Sequence, residues 1–160
     1  MKHNMKDEKR VKRIVNRKLR KNILRIDYML DWLPFDKKVN IAFYKLHQID
    51  FTSIRLYLYF WEPFEKLNII FKKNNCDNWE LVRNYKKGCL TPGLVEIYFD
   101  ECINDKLIQT LIRKHYGYEL GKVDSLSLDM IFVFEKDKDI TICHLYDDRG
   151  FRFFHLDQNY

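Results

Sequence analysis

Apolar positions in the N-terminal part of the chain recur every three or four residues. This spacing places them on one face of a helix: Val11, Ile14, Val15, Leu19, Ile23, Ile26 and Leu30. The pattern predicts an amphipathic helix over residues 8–31, with residues 1–7 frayed. Pro34 ends this helix, because the residue before a proline is pushed away from helical angles.

Three further helices are predicted from residues that start or stop them. Asp36 is placed to cap a helix that runs to about residue 48. Pro63 fits the first turn of the next helix, because its missing N–H is not needed there. Asn104 caps a last helix, and Gly117 is expected to end it.

Alternation with a period of two predicts strands elsewhere in the chain. Residues 53–61 alternate aliphatic side chains with Tyr57, Tyr59 and Trp61, so this strand has one aliphatic and one aromatic face. Two further strands are expected, over residues 94–99 and 126–134. Residues 79–85 fit a helix or a strand equally well.

The clearest strand signal lies at the C-terminal end. Ile140 to Tyr146 alternates regularly, and the next four residues, Asp147 to Gly150, are typical of a tight hairpin turn. We expect Gly150 at positive φ and the Asp147 carboxylate bonded to backbone N–H groups. Residues 151–155 then return as a strand. The whole pattern predicts an α+β fold: a mainly antiparallel sheet with a C-terminal three-strand meander, and helices packed on one face.

Composition supports one folded domain over residues 8–160. The chain has 160 residues, of which 46% are hydrophobic and 16% aromatic, enough to build a core. No apolar run approaches the roughly 20 residues of a membrane helix, and we expect a cytoplasmic protein. The four cysteines are far apart and form no zinc-binding pair, so neither a metal nor a cofactor is predicted.

Charge is concentrated at the N-terminus. The chain carries a formal net charge of +6, yet residues 1–30 alone hold eleven Lys or Arg against three acidic residues. The predicted helix could dock on the body, bind nucleic-acid phosphates, lie on an anionic membrane, or bind an acidic protein, and docking is the favoured interpretation. Its candidate contact residues are Arg10, Arg13, Arg17, Arg20 and Lys21. Tyr57, Tyr59 and Trp61 offer either a stacking surface for bases or a core wall beneath a helix, the favoured alternative.

The hairpin holds the densest group of reactive side chains, and these are the candidate binding residues: His144, Tyr146, Asp147, Asp148 and Arg149. In a catalytic interpretation, His144 is a general base, Asp148 orients it and Arg149 holds a phosphate. In the favoured structural interpretation, these residues close the turn and pair with neighbours. His144 and His155 could also face each other as an acid–base pair. Glycine-rich phosphate loops and common hydrolase motifs are absent from the sequence, so no catalytic residue is predicted and a non-enzyme is favoured.

The C-terminal third resembles a bacterial family known as domain of unknown function family 3885. The resemblance rests on residues 141–150, Thr-Ile-Cys-His-Leu-Tyr-Asp-Asp-Arg-Gly, and covers about residues 94–156. In that family a strand also enters a Tyr-Asp-Asp-Arg-Gly turn, preceded by a helix and a strand. The family usually continues past the turn with a further segment, whereas this chain stops at Tyr160. The resemblance implies a fold and a bacterial origin, and it implies no activity.

These observations favour a non-catalytic bacterial protein-interaction domain, and a toxin-neutralising, immunity-like role is one form it could take. One alternative is a nucleic-acid-binding protein that uses the basic helix and the aromatic sheet face. Another is a phosphate-ester hydrolase that uses His144 and Arg149. The sequence leaves the partner and the oligomeric state open.

Overall fold

The computed structural model describes residues 3–16, 23–100 and 102–156, and over these residues it confirms the α+β class. The described helices are α1 (Met5–Asn16), α2 (Phe35–His47), α3 (Phe64–Lys73) and α4 (Asp105–Glu119). The described strands are β1 (Ile23–Met29), β2 (Ser53–Phe60), β3 (Trp79–Arg83), β4 (Gly93–Phe99), β5 (Leu128–Lys136), β6 (Asp139–Asp147) and β7 (Gly150–Leu156).

The strands form one antiparallel sheet in the order β1-β7-β6-β5-β2-β4-β3. β5, β6 and β7 are consecutive neighbours, which confirms the C-terminal meander. β2 lies between β5 and β4 and is therefore central. β1 pairs with β7, so the first and last strands of the described chain are neighbours at one edge of the sheet.

Side-chain alternation along β2 divides the core between the two faces of the sheet. Leu56 and Leu58 point to the larger core, where the apolar sides of α2, α3 and α4 pack. Tyr57 and Tyr59 point to the opposite face and are buried in a smaller core. α1 covers this second face with three buried side chains, Val11, Ile14 and Val15. The sheet thus lies between three helices and α1.

The predicted helix over residues 8–31 is wrong in its C-terminal part. Residues 23–29 form β1, in which Ile23 lies opposite Leu156 and Ile26 lies opposite Phe153. Pairing with β7 satisfies the backbone N–H and C=O groups on one side of this edge strand, and both isoleucines are half-buried. At the other end, α1 begins at Met5, three residues before the predicted start of the helix.

Smaller differences concern helix ends and one ambiguous segment. Pro34 occupies the N-cap of α2, and Asp36 lies in its first turn. Asn104 caps α4 as predicted, since its Oδ1 accepts a hydrogen bond from the Leu107 amide at 3.2 Å. Gly117 does not end that helix, which continues to Glu119. Residues 79–83 are a strand. None of the described helices is long and apolar enough to cross a membrane.

Candidate functional site

The β6–β7 turn is tight, as predicted, but its glycine serves a different purpose. Asp147 pairs with Gly150, which leaves Asp148 and Arg149 at the tip. The Asp147 Oδ1 accepts a hydrogen bond from the Arg149 amide at 2.8 Å, which confirms the expected turn contact. Gly150 is not at positive φ, so that prediction is wrong. A Cβ on this residue would lie 2.1 Å from the backbone oxygen of Tyr28, and glycine is needed because β1 passes so close.

The turn is anchored to its surroundings at several points. Lys38 of α2, which is buried, places its Nζ 3.0 Å from the Asp148 Oδ2. The Leu30 amide donates to the Arg149 carbonyl at 2.7 Å. Burial alone would raise the pKa of Asp147, but hydrogen bonds and charge from Arg149 outweigh it and lower that pKa. These contacts give the acidic residues of the turn structural roles, and a role in binding stays a prediction.

His144 forms a pair with a different carboxylate from the one expected. Its Nε2 lies 2.7 Å from the Oδ1 of Asp129 on β5, whereas Asp148 is held by Lys38. The Nδ1 of His144 is buried and has no hydrogen-bond partner among the described residues. Arg149 is directed to Asp147, with its Nε 2.8 Å from the Oδ2. His144 and Arg149 thus each contact a different carboxylate, and the phosphate-ester hydrolase alternative stays a prediction.

The proposed pairing of His144 with His155 is wrong. The register of β6 and β7 places His144 opposite Arg152 and His155 opposite Thr141. Positions 141 and 144 are three residues apart, so their side chains point to opposite faces of the sheet. The His155 ring contacts the Thr141 hydroxyl at 3.1 Å. Tyr146 lies on the same face of the sheet as His144, and the centre of its ring is 4.6 Å from the Arg152 Cζ.

The basic N-terminal region is only partly described. Arg10 and Arg13 are exposed on α1, whereas Arg17, Arg20 and Lys21 lie outside the described residues, as does Leu19. Tyr57 and Tyr59 are fully buried and form the core wall beneath α1, so neither is exposed to stack on bases, and Trp61 is partly buried against the same smaller core.

A groove between α3 and α4 brings together residues that the sequence does not connect. Lys66 and Lys73 lie two turns apart on α3, with Ile69 and Ile70 between them. On α4, Lys106, Thr110 and Lys114 follow at intervals of four residues and so form a second stripe. The two helices are joined at one end, where the Asn104 Nδ2 donates to the Asn74 carbonyl at 2.8 Å. We call this feature, completed by Asp124, Ser125 and Leu126, the lysine groove.

The lysine groove is large and basic. Its volume is about 610 Å³, within the range of ligand-binding clefts. Four lysines and one aspartate, Asp124, line it. Lys66 is partly neutralised by Glu62, with a 3.0 Å ion pair. The apolar floor includes Ile69, whose side chain is 54% exposed. Such a surface is suited to a ligand that carries both negative charge and apolar groups.

The groove continues along α4 into a second, smaller cavity of about 240 Å³. Phe35 and Lys122 line this extension, and the Lys122 Nζ lies 4.5 Å from the centre of the Phe35 ring. Val123, at the rim, is 90% exposed. The basic and apolar character of the lysine groove is therefore maintained beyond its end.

Two observations concern metals and known proteins. Among residues 3–16, 23–100 and 102–156, no group of three or more His, Cys, Asp or Glu side chains is arranged to hold a metal ion. No family model matches the chain, and neither does a curated protein or a solved structure. The resemblance to domain of unknown function family 3885 stays a prediction.

Proposed function

We propose that this protein is a non-catalytic interaction domain that binds an acidic segment of a partner protein in the lysine groove. The observation that carries the proposal is the convergence of four lysines from two helices around an apolar floor. Isolated lysines are common on protein surfaces. Lysines that border a cavity of this size are different, because the cavity can enclose part of a ligand while the lysines bind its negative charges.

The lining of the groove favours a peptide over a nucleic acid. Ile69, Ile70 and Leu126 offer contacts to leucine-like side chains, while the lysines at the rim complement carboxylates. Binding of single-stranded nucleic acid usually relies on aromatic side chains that stack on bases. The residues that line the lysine groove are aliphatic, polar and charged, and Tyr57 and Tyr59 lie buried on the other side of the sheet.

Charge reversal in the groove tests the proposal. The probe is a fluorescein-labelled amphipathic peptide of about 15 residues, built from glutamate and leucine at helical spacing. The variant carries Lys73→Glu, Lys106→Glu and Lys114→Glu. Fluorescence anisotropy should show at least a tenfold loss of affinity at about 50 mM salt, because the new carboxylates repel the peptide.

A matched control separates the groove from overall charge. Lys9, Lys37 and Lys87 are exposed and lie outside the lysine groove. Changing these three to glutamate gives the same net charge and should leave most of the affinity in place. Equal losses in both variants, or no peptide binding at low salt, would contradict the proposal. A single-stranded oligonucleotide that binds more tightly than the peptide would instead favour the nucleic-acid alternative.

The finer parts of the functional prediction stay predictions. These are the immunity-like role, the bacterial origin and the cytoplasmic location. An immunity-like role would require that the acidic segment belong to a toxin, and the groove supports only the chemistry of that segment.

A further inference from the structure

A group of ionisable side chains is buried where the N-terminal segment crosses β3 and β4. His3 lies at its centre and is bonded to three carboxylates. Its Nε2 is 3.0 Å from the Glu8 Oε2, its Nδ1 contacts the Glu96 Oε2, and its backbone N–H donates to the Glu80 Oε2 at 2.9 Å. The three glutamates come from α1, β4 and β3 respectively, so His3 links the N-terminal segment to the sheet.

Glu96 is the member of this group that most needs a cation. Its side chain is 1% exposed, and its Oε1 has no hydrogen-bond partner among the residues described. An ionised carboxylate removed from water is costly unless a cation compensates it. Within the described part of the chain, the imidazole of His3 is the basic group in ion-pair contact with it.

Glu8 also accepts hydrogen bonds from side chains other than His3. The Arg83 Nη2 and the Tyr59 hydroxyl donate to its Oε1 at 3.3 Å and 3.1 Å. Burial alone would raise the pKa of Glu8, but Arg83, with the hydrogen bonds from Tyr59 and His3, outweighs burial and lowers it. Glu8 is therefore ionised through the neutral pH range, and it contacts the Nε2 of His3 while Glu96 contacts the Nδ1.

The geometry of His3 specifies its charge. A carboxylate only accepts hydrogen bonds, so a ring nitrogen that contacts one must donate. A neutral imidazole has one N–H, and only the imidazolium can donate from both nitrogens. When Glu8 and Glu96 are both ionised, the contacts of Nδ1 with Glu96 and of Nε2 with Glu8 are satisfied together only by protonated His3.

We propose that Glu8, Glu80 and Glu96 form a cation-binding site that is filled by the imidazolium of His3, and that this contact attaches α1 to the sheet in a pH-dependent manner. The site takes a compact organic cation with donors on two sides. Protonation fills the site, and the loss of the proton as pH rises removes one of the two donors and the positive charge. α1 is then held by Val11, Ile14 and Val15, and by the hydrogen bonds that Arg83 and Tyr59 donate to Glu8.

Other groups face His3, and the test must separate their titration from its own. They are Asp7 and Glu8 on α1, Tyr57 and Tyr59 on β2, Glu80 and Arg83 on β3, and Glu96 and Tyr98 on β4. Burial raises the pKa of Tyr57, Tyr59 and Tyr98, so these phenols stay neutral near pH 8. Arginine stays charged throughout.

Hydrogen exchange measured by mass spectrometry on the full chain tests the proposal. The readout is the protection of the amides of residues 9–16, corrected for intrinsic exchange rates, at about pH 5.5 and about pH 8.5. In the wild type, protection should fall roughly tenfold at the higher pH, the size expected for charged hydrogen bonds. His3→Gln should show the low protection at both pH values.

Two more variants identify the cation as the cause. His3→Arg carries a permanent charge and should keep high protection at both pH values. Glu96→Gln is neutral and nearly isosteric, and it should remove most of the pH dependence. Wild-type pH dependence that persists in His3→Gln would overturn the proposal, because another group would then be responsible. Low protection of His3→Arg at both pH values would also contradict a site selective for cations.

Discussion

At the scale of single residues, Gly150 shows that close backbone approach can require a glycine as strictly as a left-handed turn does. We expect Gly150→Ala to lower the free energy of unfolding by about 1–3 kcal/mol, the usual cost of forcing a methyl group into a packed site. The new Cβ would meet the Tyr28 carbonyl, so β1 must move away from the turn. Urea unfolding followed by circular dichroism measures the difference.

Gly117→Ala is the matched control for this substitution. Gly117 lies inside α4, and a Cβ there would meet Lys122 and Ser125 at 3.4 Å, an ordinary contact distance. Because alanine favours a helix by up to about 1 kcal/mol over glycine, this variant should be neutral or stabilised. A loss in Gly117→Ala that equals the loss in Gly150→Ala would show that crowding by β1 is not the cause.

At the scale of elements, the sequence predicts most strands but not the conformation of residues 23–29. Ile23 and Ile26 continue the helical spacing of Val11 and Ile14, so a local pattern extends the helix through them. Their partners Leu156 and Phe153 lie at the other end of the chain, where no local window detects them. An alternating signal was present in this segment, but it was shorter than the helical one.

The lysine groove was missed for a related reason. Lys66 and Lys73 have the spacing of an ordinary solvated helix face, as do Lys106 and Lys114. Only the packing of α3 beside α4 brings the two stripes together. The hairpin turn, in contrast, depends on four consecutive residues, and its Asp147 contact could be predicted from the sequence.

The link between α2 and the hairpin turn gives a prediction about elements. Lys38→Met should lower the free energy of unfolding by roughly 1–3 kcal/mol, because the largely buried Asp148 loses its cation. Lys37→Met, at an exposed neighbouring position, should change little. A double-mutant cycle measures the interaction of the pair. It compares the urea unfolding of Lys38→Met, of Asp148→Asn and of the variant that carries both changes. A coupling energy near zero would mean that the pair does not join α2 to the turn.

At the scale of the whole molecule, each face of the sheet has a histidine, and the two histidines have different hydrogen-bond partners. Under α1, the ring of His3 contacts the carboxylates of Glu8 and Glu96. On the other face, His115 of α4 is buried, and its Nε2 donates to the Leu145 carbonyl at 2.7 Å. Burial lowers the pKa of His115, although Asp129 acts in the opposite direction. Acidification should therefore destabilise the α4 face, whereas the protonation of His3 proposed above would tighten the α1 face.

The sign of the second effect follows from linkage. Because the pKa of His115 is lower in the folded protein, the unfolded chain binds its proton first as pH falls. This histidine should therefore reduce stability as the pH drops through about 6.5, the usual histidine pKa. The contribution of His115, measured as the urea midpoint of the wild type minus that of His115→Gln, should be smaller at about pH 5.5 than at about pH 7.5. His115→Gln, whose amide can still donate to the Leu145 carbonyl, should lose less stability over this interval. His47→Gln, at an exposed position, should not reduce the loss. If His115→Gln is as sensitive to acid as the wild type, the buried imidazole is not the group that links α4 stability to pH.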